Sequence, residues 1–192
     1  MKSRPFLRVF LIGIGCLFLS SCLRMEDTKG ALAAIKPDPR VEGQWYATKW
    51  MYQEKPETAL ITLTKTERDG HTGYIFKSTD PKQQEGIESL WAMDFDGTHF
   101  FVSKFPEKDC TDCMVLFYQM RQQLIYVYVL NIEKSEEFLK NYYTGMTELS
   151  MTGDMIKEIS VTTLDDKSKE ILKDMAQHAE LWENAVIFKK KP

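Results

Sequence analysis

Residues 89–104 read Ser-Leu-Trp-Ala-Met-Asp-Phe-Asp-Gly-Thr-His-Phe-Phe-Val-Ser-Lys, and this stretch sets the expected fold class. Trp91, Met93 and Phe95 alternate onto one face of a strand over Ser89 to Phe95. Asp96-Gly97 is a two-residue hairpin signal, and the chain returns through a strand over His99 to Lys104. Met114 to Met120 and Leu124 to Leu130 repeat the device across Arg121-Gln122-Gln123. The second arm, Leu-Ile-Tyr-Val-Tyr-Val-Leu, is apolar or aromatic on both faces, which predicts a central strand or one covered by a helix.

Upstream, the same period of two predicts strands over Trp45 to Trp50, Ala59 to Lys65 and Tyr74 to Lys77. In the second of these, Ala59, Ile61 and Leu63 lie opposite Thr62 and Thr64, and Asp69-Gly70 marks the turn that follows. Downstream, Glu148 to Met151, Glu158 to Leu164 and Val186 to Phe188 add short strands. Ser135 to Tyr142 reads as a short helix and Lys167 to Trp182 as a longer one. Asp165 and Asp166 suit the N-terminus of the longer helix, and Ile171, Leu172, Met175, Ala179 and Trp182 form its apolar stripe. The expectation is a mainly β domain: an antiparallel barrel or strongly curved sheet with a C-terminal amphipathic helix packed on it.

A chain of 192 residues fits one such domain, and 43% hydrophobic content is too high for a disordered chain. The first 21 residues stand apart. Lys2, Arg4 and Arg8 precede the uncharged run Val9 to Leu19, whose length suits an export signal and falls short of a spanning helix. The run ends in Leu19-Ser20-Ser21-Cys22, which resembles the lipobox of bacterial lipoproteins. That resemblance implies cleavage before Cys22, a diacylglyceryl group on its thiol and an acyl group such as palmitate on its amine. Two or three chains hold a protein durably on a membrane, at about 0.8 kcal/mol per buried methylene. Residue 23 is Leu and not the Asp that resembles an inner-membrane retention signal, which favours the outer membrane, facing the periplasm. Loss of the three leader cations takes the formal charge from −3 to −6, a balance that argues against a nucleic-acid partner and against flat adsorption on anionic lipid.

The domain organisation expected is therefore a signal peptide over 1–21, a lipid anchor and flexible tether over 22–41, and one β-rich domain over 42–192. Gly30, Pro37 and Pro39 support the tether, which at full extension reaches at most about 60 Å. Lys189-Lys190-Lys191 reads as a solvated basic end.

Gly43-x-Trp45 beside the first predicted strand, consecutive hairpins and a late helix before a last strand are similar to the lipocalin plan. In that family the Trp plugs the closed end of an eight-stranded barrel, beneath a late Arg. Here only lysines stand near the place of that Arg. The resemblance implies a barrel open at one end to a small apolar molecule. Trp45, Trp91, Phe95, Phe101, Tyr126 and Tyr128 are the candidate cavity or barrel-plug residues, and an ordinary aromatic core accounts for the same residues.

Cys110 and Cys113 are the thiol pair left once Cys16 and Cys22 are assigned to the leader and the anchor. An oxidising compartment makes a local disulfide the default. Redox catalysis needs a helix N-terminus at the first Cys, whereas Asp109 and Asp112 flank this pair and a β-rich run follows it. Structural zinc needs four ligands, and His71, His99 and His178 form no second ligand pair. No nucleophile elbow, metalloprotease motif or phosphate-cradling loop is present in the sequence. The expected activity is therefore that of a non-catalytic envelope lipoprotein without catalytic residues, metal or cofactor. Its partners are the membrane through Cys22 and an envelope protein, with binding of a small hydrophobic ligand as the alternative.

Overall fold

The structure, a computed structural model, describes residues 22–50, 59–78, 89–103, 113–142, 149–152 and 155–192. Among the described residues eleven strands are present: β1 (Cys22–Met25), β2 (Gly43–Trp50), β3 (Ala59–Arg68), β4 (His71–Ser78), β5 (Ser89–Phe95), β6 (Thr98–Ser103), β7 (Met114–Arg121), β8 (Leu124–Leu130), β9 (Leu149–Thr152), β10 (Met155–Val161) and β11 (Trp182–Lys190). Helices α1 (Thr28–Ala34), α2 (Ile132–Tyr142) and α3 (Asp166–Gln177) accompany them, and a 3-10 turn spans Ala179–Leu181.

Strands β2 to β8 run as a meander, β11 pairs with both β8 and β2, and β6 pairs with β7, so eight antiparallel strands close into a barrel. The hairpin chemistry is local. Asp69-Gly70 and Asp96-Gly97 each hold positive φ at both positions, as a turn matched to strand twist requires, and Gln122 is also left-handed. Glycine is demanded at position 73 for another reason. A Cβ there would lie 2.6 Å from Cε3 of Trp91, whose ring covers that backbone.

Strand alternation sorts the apolar residues into two cores. Trp45, Ile61, Leu63, Tyr74, Phe101, Tyr118 and Ile125 face the barrel interior. Trp91, Met93, Phe95, Phe100, Val115 and Phe117 point out of the same wall into a second core under the three helices. The stripe of α3 seats Ile171, Leu172 and Met175 there. Asp165 caps α3 through Ser168 N at 2.8 Å, as its sequence position predicts. The helix is shorter than expected. It ends at Gln177, and Trp182 opens β11 while returning its indole N–H to the carbonyl of Met175 at 2.7 Å.

The tether expected over 22–41 is not what the structure holds. Cys22–Met25 is a strand, parallel to β10 with Cys22 beside Glu158 and antiparallel to β7 with Leu23 beside Val115. Leu23 and Met25 are each 1% exposed in the outer core. Asp27 then caps α1 through Gly30 N at 2.9 Å while its other oxygen accepts Leu164 N at 2.7 Å. Ala31 and Ala34, one turn apart, are buried by the same helix. The physical reason is that two apolar strand positions and a capped turn find a prepared apolar surface, which composition alone does not reveal.

Candidate functional site

Residues 35–42 form a strap across one end of the barrel. Among the described residues, strands β4 and β5 pair at Tyr74 with Leu90 and at Ile75 with Ser89. Further along β5, Ile35 bridges Met93 and Lys36 N donates to the carbonyl of Ala92 at 2.9 Å. Pro37 and Pro39, which have no N–H to give a ladder, release the chain from that edge. It turns at Asp38, whose carbonyl accepts Val41 N at 3.0 Å, and enters β2 through Gly43 at φ 133°. Trp45 donates its indole N–H to the carbonyl of Val41 at 2.9 Å, and Lys190 Nζ lies 5.4 Å from the Trp45 ring centre. A lysine thus occupies the place over this indole, with a cation–π contact to the strap's anchor.

Asp38 is the chemical centre of the strap. It is 7% exposed, and its carboxylate accepts Arg40 N at 3.1 Å, Arg40 Nε at 2.8 Å, Arg40 Nη2 at 2.6 Å and the Tyr118 hydroxyl at 3.3 Å. The Tyr74 hydroxyl donates to the Asp38 carbonyl at 2.6 Å. Burial on its own raises the carboxyl, but the Arg40 hydrogen bonds and charge outweigh it and hold Asp38 below its ordinary value of 3.8. Burial, with the Asp38 and Glu42 charges, pushes the Tyr74 hydroxyl up to about 12, and burial beside Asp38 pushes Tyr118 higher still. All three groups keep one protonation state across the neutral range. Tyr118 stacks on Phe101 at 3.9 Å and on His99 at 5.4 Å, and Arg40 Nη2 reaches His99 Nε2 at 3.3 Å. Because a guanidinium only donates, that contact uses His99 Nε2 as the acceptor. With its oxygens occupied as acceptors by Arg40 and Tyr118, the carboxylate is suited to latching the strap and poorly suited to taking up a substrate proton.

The six aromatic residues singled out in the sequence do not line one cavity. Trp45 and Phe101 face the interior. Trp91 and Phe95 have the opposite parity to Leu90 and Ala92 and pack in the outer core. Tyr126 and Tyr128 alternate with the inward Ile125, Val127 and Val129, so they stand on the outer wall, where Tyr128 stacks on Phe117 at 5.5 Å. Tyr74 and Tyr118, not selected from sequence, are the interior aromatic partners of the strap. Parity around Leu116 and Phe76 was the available signal for both. Asp38 and Arg40 were missed because Pro-Asp-Pro-Arg reads as linker.

Cys113 is fully buried and is disulfide-bonded, whereas Cys110 lies outside the described residues. Cys22 has a backbone position in β1. Among the described residues no group of three or more His, Cys, Asp or Glu is placed to hold a metal ion. No helix among them is long and apolar enough to cross a membrane. Compared with known proteins, the chain matches no family model, no curated protein and no solved structure.

Proposed function

We propose that this chain is an exported, lipid-anchored envelope protein, held by Cys22 at the outer membrane facing the periplasm. It acts without catalysis, through contact with an envelope protein partner or in envelope maintenance. One observation carries the reading: Leu23 and Met25, the first and third residues after the cysteine that the lipobox designates as the mature N-terminus, are buried in the outer core. A cut before Cys22 keeps both residues in the chain, together with the pairing of β1 to β10 and β7. The barrel interior is occupied on the strapped side by Trp45, Tyr74, Phe101 and Tyr118, which favours recognition by the outer surface. A bond between Cys113 and Cys110 belongs to the same reading, because export supplies the oxidising compartment.

A second reading is a binder or carrier of a small hydrophobic ligand. It is supported by a closed eight-stranded meander strapped at one end, with Trp45 inside beneath Lys190. Native mass spectrometry of the delipidated protein from its own host separates the two. A copurifying protein subunit supports the first reading and a copurifying small molecule the second. For the anchor, Cys22→Ser is expected to leave protein without acyl chains and lost from the membrane fraction. Wild-type protein retained there with no added mass on Cys22 refutes it.

A further inference from the structure

From the placement of β1 we infer that the strapped end of the barrel is seated directly on an anionic bilayer surface, with Arg121, Lys189, Lys190 and Lys191 against the headgroups. This rests on acylation of Cys22, and deepens it by saying how the domain sits.

Cys22 is itself a sheet residue, in register with Glu158 of β10, and the next residue, Leu23, also pairs with Val115 of β7, so no spacer separates the lipid from the fold. Sequence composition allowed a stalk of tens of ångströms, whereas here the next residue, Leu23, is already buried. β1 runs from Cys22 towards Met25 antiparallel to β7, and β7 runs towards Arg121. The Cys22 side of β1 therefore points to the end of the molecule that carries the β7–β8 turn, the end of β11 and the strap. Along β10, Met155 lies three residues on that side of Glu158, about 10 Å at the rise of a strand. At the opposite end β2, β4 and β6 finish, β3, β5 and β7 start, and β8 passes to α2 at Asn131.

Lys190 N donates to the Gln123 carbonyl at 2.8 Å, which brings the lysine run beside the β7–β8 turn and Arg121. Lys191 Nζ contacts Gln44 Oε1, Arg121 Nη2 contacts Gln119 Oε1, and Lys190 lies over Trp45, so three of the four cations are held by neutral partners, and Lys189 is exposed. None of the four is in an ion pair with a carboxylate among the described residues. Basic residues near an anionic surface each add to binding at close range, and the effect fades within a Debye length. A body of net negative charge thereby presents a basic edge on the side where its lipid emerges.

The test uses the full lipoprotein in vesicles of phosphatidylglycerol and phosphatidylethanolamine that contain nitroxide-headgroup lipid. A fluorescent non-natural amino acid replaces Gln122 at the strapped end or, separately, Glu133 at the opposite end; both positions are exposed. Quenching at Gln122 and none at Glu133 is expected. A flexible Gly-Ser spacer of about ten residues after Cys22 is expected to abolish the quenching while membrane retention persists. Arg121→Glu, Lys189→Glu and Lys191→Glu together are expected to weaken it, again with retention. Equal quenching at both sites, or quenching at Glu133 alone, overturns the seating while leaving the anchor intact. Quenching unchanged by the three charge reversals overturns the assignment of the basic edge. A Cys22 peptide without acyl mass overturns the anchor, and the seating with it.

Discussion

Met25→Ala separates a structural strand from a tether in one measurement. Met25 is 1% exposed, lies in register beside Val161 and donates its N–H to the carbonyl of Cys113 at 3.0 Å. Truncation keeps that backbone bond and removes Cγ, Sδ and Cε from the outer core. Lost transfer energy at about 0.8 kcal/mol per methylene-sized group, plus the residual cavity, totals about 3 kcal/mol, within the usual range of about 2–5 for such changes. For a domain of this size that lowers Tm by about 6–12 °C. Glu26→Ala, one residue on and exposed, is the control, with an expected effect within about 0.5 kcal/mol. The assay is thermal unfolding by circular dichroism on the chain from Cys22 onward, with near-ultraviolet spectra to verify native packing. If Met25→Ala melts together with Glu26→Ala and the parent, β1 is not part of the fold and the burial argument fails.

Four other outcomes are expected. Asp38→Ala removes the acceptor of Arg40 and Tyr118; with Arg40 half exposed to solvent the loss is about 2 kcal/mol, and chemical denaturation checks it. Because the folded Asp38 carboxyl lies below its ordinary value of 3.8, its contribution is present above that pH and disappears as pH falls through the folded value. Acid titration of stability should therefore be flatter below about pH 4 in Asp38→Asn than in the parent, and superimposable curves would refute the latch. Gly73→Ala places a Cβ against the Trp91 ring and should cost about 1–3 kcal/mol, with an altered Trp fluorescence maximum; an unchanged melting curve would show that the ring is not held there. Cys110→Ala with Cys113→Ala should still fold and lose about 1–2 kcal/mol, as expected for a very short loop, and thiol trapping on intact cells should find neither parental cysteine free.

Much of the barrel was legible because its signals are local. Ser89–Phe95 and Leu124–Leu130 coincide with the observed strands, and Asp69-Gly70 and Asp96-Gly97 turn where their left-handed tolerance predicts. Strand ends were harder to place: β4 begins at His71 rather than Tyr74, and β11 at Trp182 rather than Val186. Partner strands extend pairing past the last residue of an obvious pattern. The long helix was drawn too far because Trp182 continues the stripe of Ile171 and Met175 in sequence, yet reaches the same core from a strand.

The site was far less legible. Period-two alternation says that Trp91 and Phe95 share a face, but not which of two cores that face meets. Only closure of the barrel assigned Trp45 and Phe101 to the interior and Trp91 and Phe95 to the wall beneath the helices. The strap depends wholly on tertiary structure. Asp38 draws its meaning from Tyr118, 80 positions away, and from Tyr74, 36 positions away.

By itself, the sequence determined the β-rich class, the hairpin turns, the Asp165 cap and the resemblance of Leu19 to Cys22 to a lipobox. Each is written in neighbouring residues, through backbone preference, side-chain period or a contiguous motif. Tertiary structure alone decided that residues 22–41 are a strand, a capped helix and a strap. Two buried residues in β1 and one carboxylate in the strap have no stable arrangement of their own. The surfaces that order them come from β7, β10, Tyr74 and Tyr118, and those surfaces exist only once the barrel has closed.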